Sequence, residues 1–82
     1  MYFDETKTIL IDVLSLGENG RRLDADSPLL GALPELDSMA VISLIAALEE
    51  HFDIAIDDDD ISASTFATLG TLAAFVASKR DA

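Results

Sequence analysis

Apolar residues recur at helical spacing in three stretches of the chain, and the alternating runs are too short to build a sheet. The first helix is expected after Asp4, whose side chain can cap the free amides of the first turn, and to run to about Leu16 before Gly17 stops it. Leu10, Val13 and Leu14 share its inward face. The second opens at Ser38 and continues through Met39, Val41, Ile42, Leu44, Ile45 and Leu48 to Phe52. Its positions 40, 43, 47 and 50 form one stripe of small or polar residues, Ala40, Ser43, Ala47 and Glu50, expected to face solvent and able to receive a partner. In the last helix Leu69, Leu72, Phe75 and Val76 point inward, Thr68 is the expected cap, and Lys79 and Arg80 suit the negative end of the dipole.

Between the first two helices, residues 17–36 contain Gly17, Gly20, Pro28, Gly31 and Pro34, the punctuation of a long irregular connection. Leu23, Leu29, Leu30, Leu33 and Leu36 are expected to pin it to the core, so an ordered loop follows. After Phe52, Ile54 and Ile56 alternate with polar residues and are expected to tuck under the bundle. A short helix around Asp59 to Ser64 would place the aspartate run Asp57 to Asp60 at its positive end.

The chain of 82 residues, half of them apolar with a mean hydropathy of +0.33, is expected to fold as a single domain over residues 1–82. A core of that size supplies only about 3–5 kcal/mol of net stability, which argues against a deep catalytic cavity. With no cysteine, disulfides, thiolate metal sites and cysteine nucleophiles are excluded. The run Ile9 to Leu16 is broken by Asp12 and Ser15 and follows no basic segment, so neither a signal peptide nor a membrane span is expected. A monomer in the cytoplasm is the expectation.

Charge narrows the function further. Sixteen acids against five bases give a net charge of -11, opposed to nucleic acid and to anionic membrane surfaces. Eleven of the acids lie between Leu23 and Asp60, a stretch without Lys or Arg, so a partner with a basic patch is the natural complement.

Few residues are arranged for catalysis. The single histidine, His51, lies about 20 Å from Ser38 along the same helix, too far for a serine–histidine pair. Leu36 and Ala40 stand where a nucleophile elbow requires glycine. A calcium loop starting at Asp57 would need an oxygen ligand at Ile61, glycine at Ser62 and glutamate at Thr68, leaving at most loose cation association and no metal site. Ser38 is the residue that remains. As a helix cap it would have a purely structural use; bearing a phosphate ester, it would hold that negative charge against free amides at the positive end of a helix.

The tetrapeptide Leu36-Asp37-Ser38-Met39 at the start of an apolar helix, within a small acidic helical chain, resembles the signature of the acyl carrier proteins. The helix from Ser38 to Phe52, with Ala47-Leu48-Glu49-Glu50 and its closing phenylalanine, is similar to the family's second helix, and the likeness extends from about Asp24 to Val76. It implies an all-α fold: a four-helix bundle of acyl-carrier type, with a long loop between helices 1 and 2 and a short third helix. It also implies a carrier rather than an enzyme, with no catalytic residues. A phosphopantetheinyl transferase, using coenzyme A and magnesium, would attach 4'-phosphopantetheine to Ser38, and acyl groups would ride on the arm as thioesters.

Asp37 would then help dock the transferase, and Glu49 and Glu50 match the family's acidic partner-facing positions. Met39, Ala40, Ser43 and Ala47 complete the expected docking set. Further implied partners are an acyl-loading ligase, adenylating enzyme or acyltransferase, and the basic patches of enzymes of fatty-acid, polyketide or specialised acyl-transfer pathways. The sequence departs from fatty-acid carriers where Ala40, Val41 and Ser43 replace acids in the first turns of the helix, and where Leu33-Pro34-Glu35-Leu36 precedes the motif. The Gly-Gly of peptidyl carriers is also absent. Two alternatives remain at this level: an unmodified acidic interaction module docking through Ala40, Ser43 and Ala47, and a carrier of an amino acid or aryl acid loaded by an adenylating enzyme.

Overall fold

A computed structural model describes residues 2–81, the side chains of Asn19 and Asp58 excepted. The elements are α1 (Phe3–Leu14), the single turn α2 (Glu18–Arg21), α3 (Ser38–Phe52), a 3-10 turn at Asp58–Asp60, and α4 (Leu69–Arg80). The described residues contain no strand beyond one isolated antiparallel bridge, Pro28 with Thr68. The fold is thus all-helical, as expected, but it rests on three long helices rather than four.

The three helices meet because each carries one apolar stripe. On α3 the buried residues Leu44, Leu48 and Phe52 are four apart and lie on one face. Ile9, Leu10 and Leu14 of α1 and Leu69, Leu72, Ala73 and Val76 of α4 complete the core, with α1 packed against both other helices. Val13 and Phe75, expected inward, are half-buried at its margin. Leu10, Leu44, Leu48, Leu69, Leu72 and Val76 are fully buried, each such burial contributing about 1.5–3 kcal/mol before entropy is counted.

Two helix boundaries differ from the expected ones at α1. Its N-cap is Tyr2, without a side-chain cap bond, so Asp4 is not the cap but an acid of the first turn, favourable at the dipole's positive end. Its helical bonds end at Leu14 because Ser15 turns left-handed (φ 54°) and the amide of Leu16 bonds back to the Ile11 carbonyl at 3.1 Å. The chain reverses at Gly17, whose φ of 60° with ψ of -134° is open to glycine and strained for other residues.

The short third helix expected around Asp59 to Ser64 is only the 3-10 turn Asp58–Asp60 followed by an irregular turn. Hydroxyls compete there with helix formation: Ser62 Oγ is 2.8 Å from Ser64 Oγ and 3.2 Å from Thr65 Oγ1. The aspartate run is anchored from outside, since Lys79 of α4 pairs with Asp60, which also accepts the Asp57 amide at 3.1 Å. These donors hold the Asp60 carboxyl below its usual range, the lysine contributing most. Thr68 caps α4 as expected: it accepts from the Thr71 amide at 3.1 Å, and Thr71 Oγ1 accepts from the Thr68 amide at 3.0 Å.

The long connection is ordered by backbone bonds to the segment before α4. Leu29 and Leu30 donate to the carbonyls of Ala67 and Phe66, and Leu69 and Gly70 donate to those of Ser27 and Ala25, all between 2.9 and 3.0 Å. Leu29 and Leu36 are buried, and Leu23 and Leu33 pack against the core. Leu30 departs from the expected pattern and stays 47% exposed. Gly70 permits the close approach: a Cβ there would meet the Ala25 carbonyl oxygen at 2.7 Å.

Candidate functional site

Ser38 stands at the first position of α3, held from both sides. Before it, Leu36 is buried and its amide bonds to the Leu33 carbonyl at 3.0 Å, fixing the end of the long loop. After it, the helix buries Leu44 and Leu48. Asp37, extended at φ -99° and ψ -174°, is the cap: its Oδ1 accepts the Ala40 amide at 2.9 Å, and its carbonyl accepts the Val41 amide at 2.9 Å.

That arrangement separates the cap from the serine. Because Asp37 supplies the capping oxygen, Ser38 is not the N-cap, and its exposed hydroxyl makes no hydrogen bond among the described residues. The amides of Ser38 and Met39 also lack partners there, as first-turn amides do. An exposed hydroxyl beside two free N–H groups at the positive end of a fifteen-residue helix fits a phosphate ester on that oxygen.

The other expected site residues are spread along and around α3. Met39, Ser43 and Glu50 are exposed. Ala40 and Ala47 are not free to face solvent as the spacing suggested: both are half-buried and pack against the core. Ala47 lies with Ile9, Asp12, Val13, Glu50 and His51 along an open groove between α1 and α3. Glu49 is half-buried, and its Oε2 accepts the Ile56 amide at 2.8 Å, which helps hold Ile54 and Ile56 against the core. The pattern alone did not mark Ile42, yet it is 61% exposed and lies one turn from Ser38 on the same face. Its spacing of four residues from the serine is the signal that could have found it.

His51 is exposed near the C-terminus of α3, and its Nε2 lies 3.1 Å from Glu5 Oε2 on α1. Its ring meets that of Phe52 edge-on at 4.7 Å between centroids. It is occupied by interhelical contact, far from the serine. Among the described residues no three His, Cys, Asp or Glu side chains converge as metal ligands, and no helix is long and apolar enough to cross a membrane.

Comparison with known proteins brings this geometry to a family. Residues 4–76 match the family described as a phosphopantetheine attachment site. The acyl carrier protein of Sulfurovum sp. (strain NBC37-1) is 35% identical over 74 residues, spanning 90% of this chain and 92% of that one. The chain belongs to the acyl carrier protein family. A second acyl carrier protein, from Campylobacter lari, is 37% identical over 59 residues, 71% of each chain. The solution structure of a holo acyl carrier protein from Nitrosomonas europaea superimposes with a TM-score of 0.88 at 56% identity, covering 95% of this chain and 94% of that one. Members of the acyl carrier family are carriers rather than catalysts, and their covalent group is phosphopantetheine. Acyl carrier function therefore requires one accessible attachment residue and a surface for acyl-handling enzymes, not an active-site cavity.

Proposed function

We propose that Ser38 is the attachment residue and that this chain acts as an acyl carrier domain in the cytoplasm. The observation that supports this reading is the division of labour at the start of α3: Asp37 caps the helix, and the neighbouring hydroxyl is exposed and makes no hydrogen bond among the described residues, beside amides likewise without partners there. In the loading step Ser38 Oγ attacks the phosphorus of coenzyme A that bears the pantetheine unit. A P–O bond forms to the serine, the P–O bond to the second phosphate breaks, adenosine 3',5'-bisphosphate leaves, and the serine proton passes to a base on the transferase. The amides of Ser38 and Met39, without partners among the described residues, would stabilise the phosphodiester anion. When bound, phosphopantetheine supplies the thiol on which an acyl group is held as a thioester.

Asp37 orients the serine by fixing the first turn, and its second carboxylate oxygen remains available to a cationic partner group. Asp37 and Glu50 are the acidic docking positions the geometry favours, while Glu49 contributes mainly by holding the Ile56 amide. Fatty-acid, polyketide or specialised acyl-transfer enzymes are the class of partner, with the acyl group loaded by a ligase, adenylating enzyme or acyltransferase.

Intact-protein mass after incubation with coenzyme A, magnesium and a broad-specificity phosphopantetheinyl transferase tests the assignment. One phosphopantetheine on the wild type and none on Ser38→Ala is the expected result. Equal loading of both proteins would move the site elsewhere, and loading of neither by several competent transferases would favour an unmodified interaction module.

A further inference from the structure

Resting on the reading of Ser38 as the attachment residue, we propose that the groove between α1 and α3 is a second docking surface. It takes a basic amphipathic helix of a partner protein while the serine stays open to the enzymes that serve it. The floor of the groove is apolar: Ile9 and Val13 lie one turn apart on α1, and Ala47 lines it from α3. The methyl group of Ala47 leaves a gap that a longer side chain would fill. Both walls are acidic. Asp12 and Glu50 flank the floor, and Asp4 and Glu5 continue the α1 wall toward His51. Glu5 is met by His51 at 3.1 Å, whereas Asp4, Asp12 and Glu50 are exposed and have no ion-pair partner among the described residues. Lys7 and Arg21 share a neighbouring cavity with Asp4 and Asp12 without pairing to them there; Lys7 donates instead to the Arg21 carbonyl at 2.8 Å.

Charge and shape together define the occupant. Carboxylates without a cationic partner call for lysine or arginine, and the apolar floor between them calls for an aliphatic ridge. A helix with apolar residues at i, i+3 and i+4 and basic residues on both flanks presents the two together, and its ridge suits a groove between two packed helices. Position in the fold sets the role. From Ser38 to Ala47 the helix makes about two and a half turns, so the groove lies on the opposite side of α3 and about 14 Å along it. A partner seated there leaves the serine hydroxyl uncovered. It holds the carrier while another enzyme acts at Ser38, which raises the local concentration of carrier for that enzyme. Glu50, one of the two acids assigned to docking, then belongs to this second surface, and Asp37 to the serine end.

Titration of the isotope-labelled full chain with a synthetic amphipathic peptide of leucine and lysine, about five turns long, tests this by NMR, with a scrambled peptide of the same composition as control. Saturable shifts centred on Ile9, Asp12, Val13 and Ala47, and much weaker ones with the scrambled peptide, are the expected result. Asp12→Lys, which reverses the charge of one wall, and Ala47→Trp, which fills the floor, are each expected to weaken binding about tenfold, the scale of a central interface residue. Asp26→Lys, the same charge change at an exposed position of the long loop, is expected to stay within about twofold, since a single distant charge is largely screened. Circular dichroism melts verify that the variants are folded, and Asp12→Lys decides alone if Ala47→Trp is not. Loading of Ser38 from coenzyme A at saturating amphipathic peptide, read by intact mass, is expected within about twofold of the rate with the scrambled one, because the two surfaces lie on opposite sides of α3. Shifts centred on Met39 and Ile42, equal binding of the two peptides, or loading blocked by the amphipathic peptide would overturn the proposal. So would a dimer of the free chain in sedimentation that Asp12→Lys dissolves, since a second copy would then cover the groove. Failure to load with no peptide present would overturn the reading of Ser38, on which simultaneous use of the two surfaces rests, and is distinguished by the absence of any mass increase.

Discussion

Two adjacent residues at the start of α3 are expected to separate stability from loading. Asp37 Oδ1 accepts the Ala40 amide at 2.9 Å, so Asp37→Ala removes the cap and costs about 0.5–2 kcal/mol, with about 1 kcal/mol as the central value. For a domain of this size that lowers the melting temperature by about 4–8 °C per kcal/mol. Ser38 makes no such bond, and alanine is a better helix former at the first helical position, so Ser38→Ala stays within about 0.5 kcal/mol of wild type. Asp37→Asn keeps an acceptor oxygen and loses the charge at the helix N-terminus, which places it between the two at about 0.3–1 kcal/mol. Urea titrations of the four proteins under one buffer measure the differences, with unchanged slopes confirming a common unfolding reaction. A Ser38→Ala loss as large as that of Asp37→Ala would refute the division of labour, because the serine would then be part of the cap.

Gly70→Ala places a Cβ 2.7 Å from the Ala25 carbonyl oxygen, and overpacking with strain on the Gly70 to Ala25 bond outweighs the gain in helix propensity, for a net loss of about 1–3 kcal/mol by thermal melting. A stabilised Gly70→Ala protein would show that the loop is not held as described. Thr6 is fully buried and its hydroxyl has no partner among the described residues, so Thr6→Val is expected to raise stability by about 1 kcal/mol in the same assay; a loss would mean the hydroxyl is satisfied in solution. Because the Asp60 carboxyl titrates below its ordinary 3.8, its pairing with Lys79 stabilises the fold above that pH and is lost as pH falls through the lowered value. The stability gap between wild type and Lys79→Met should therefore close under acid, and a gap independent of pH would contradict the pairing.

How far the sequence could carry these conclusions varied with the range of the interactions involved. The bounds of α3 were legible because a strong local signal, Asp37 before an apolar run, coincides with the tertiary cap. Thr68 was legible for the same reason. The end of α1 was not, since Ser15 adopts a left-handed turn two residues before the glycine that local chemistry favours. The short third helix failed because serine and threonine hydroxyls satisfy one another and Lys79, nineteen residues away, anchors the aspartates. At the candidate site the serine and its neighbour were visible as a motif, but which of them caps the helix depends on a single hydrogen bond. The commitment of Glu49 to the Ile56 amide and the exposure of Ile42 depend on how loops and helices pack, which a helical pattern on its own does not specify.

The proposed attachment site is a single hydroxyl, that of Ser38. Fragmentation mass spectrometry of the loaded wild type, with every serine and threonine of the chain covered, tests it most directly. The added group is expected on Ser38 alone. A group on Ser43, Ser27 or any other hydroxyl would contradict it.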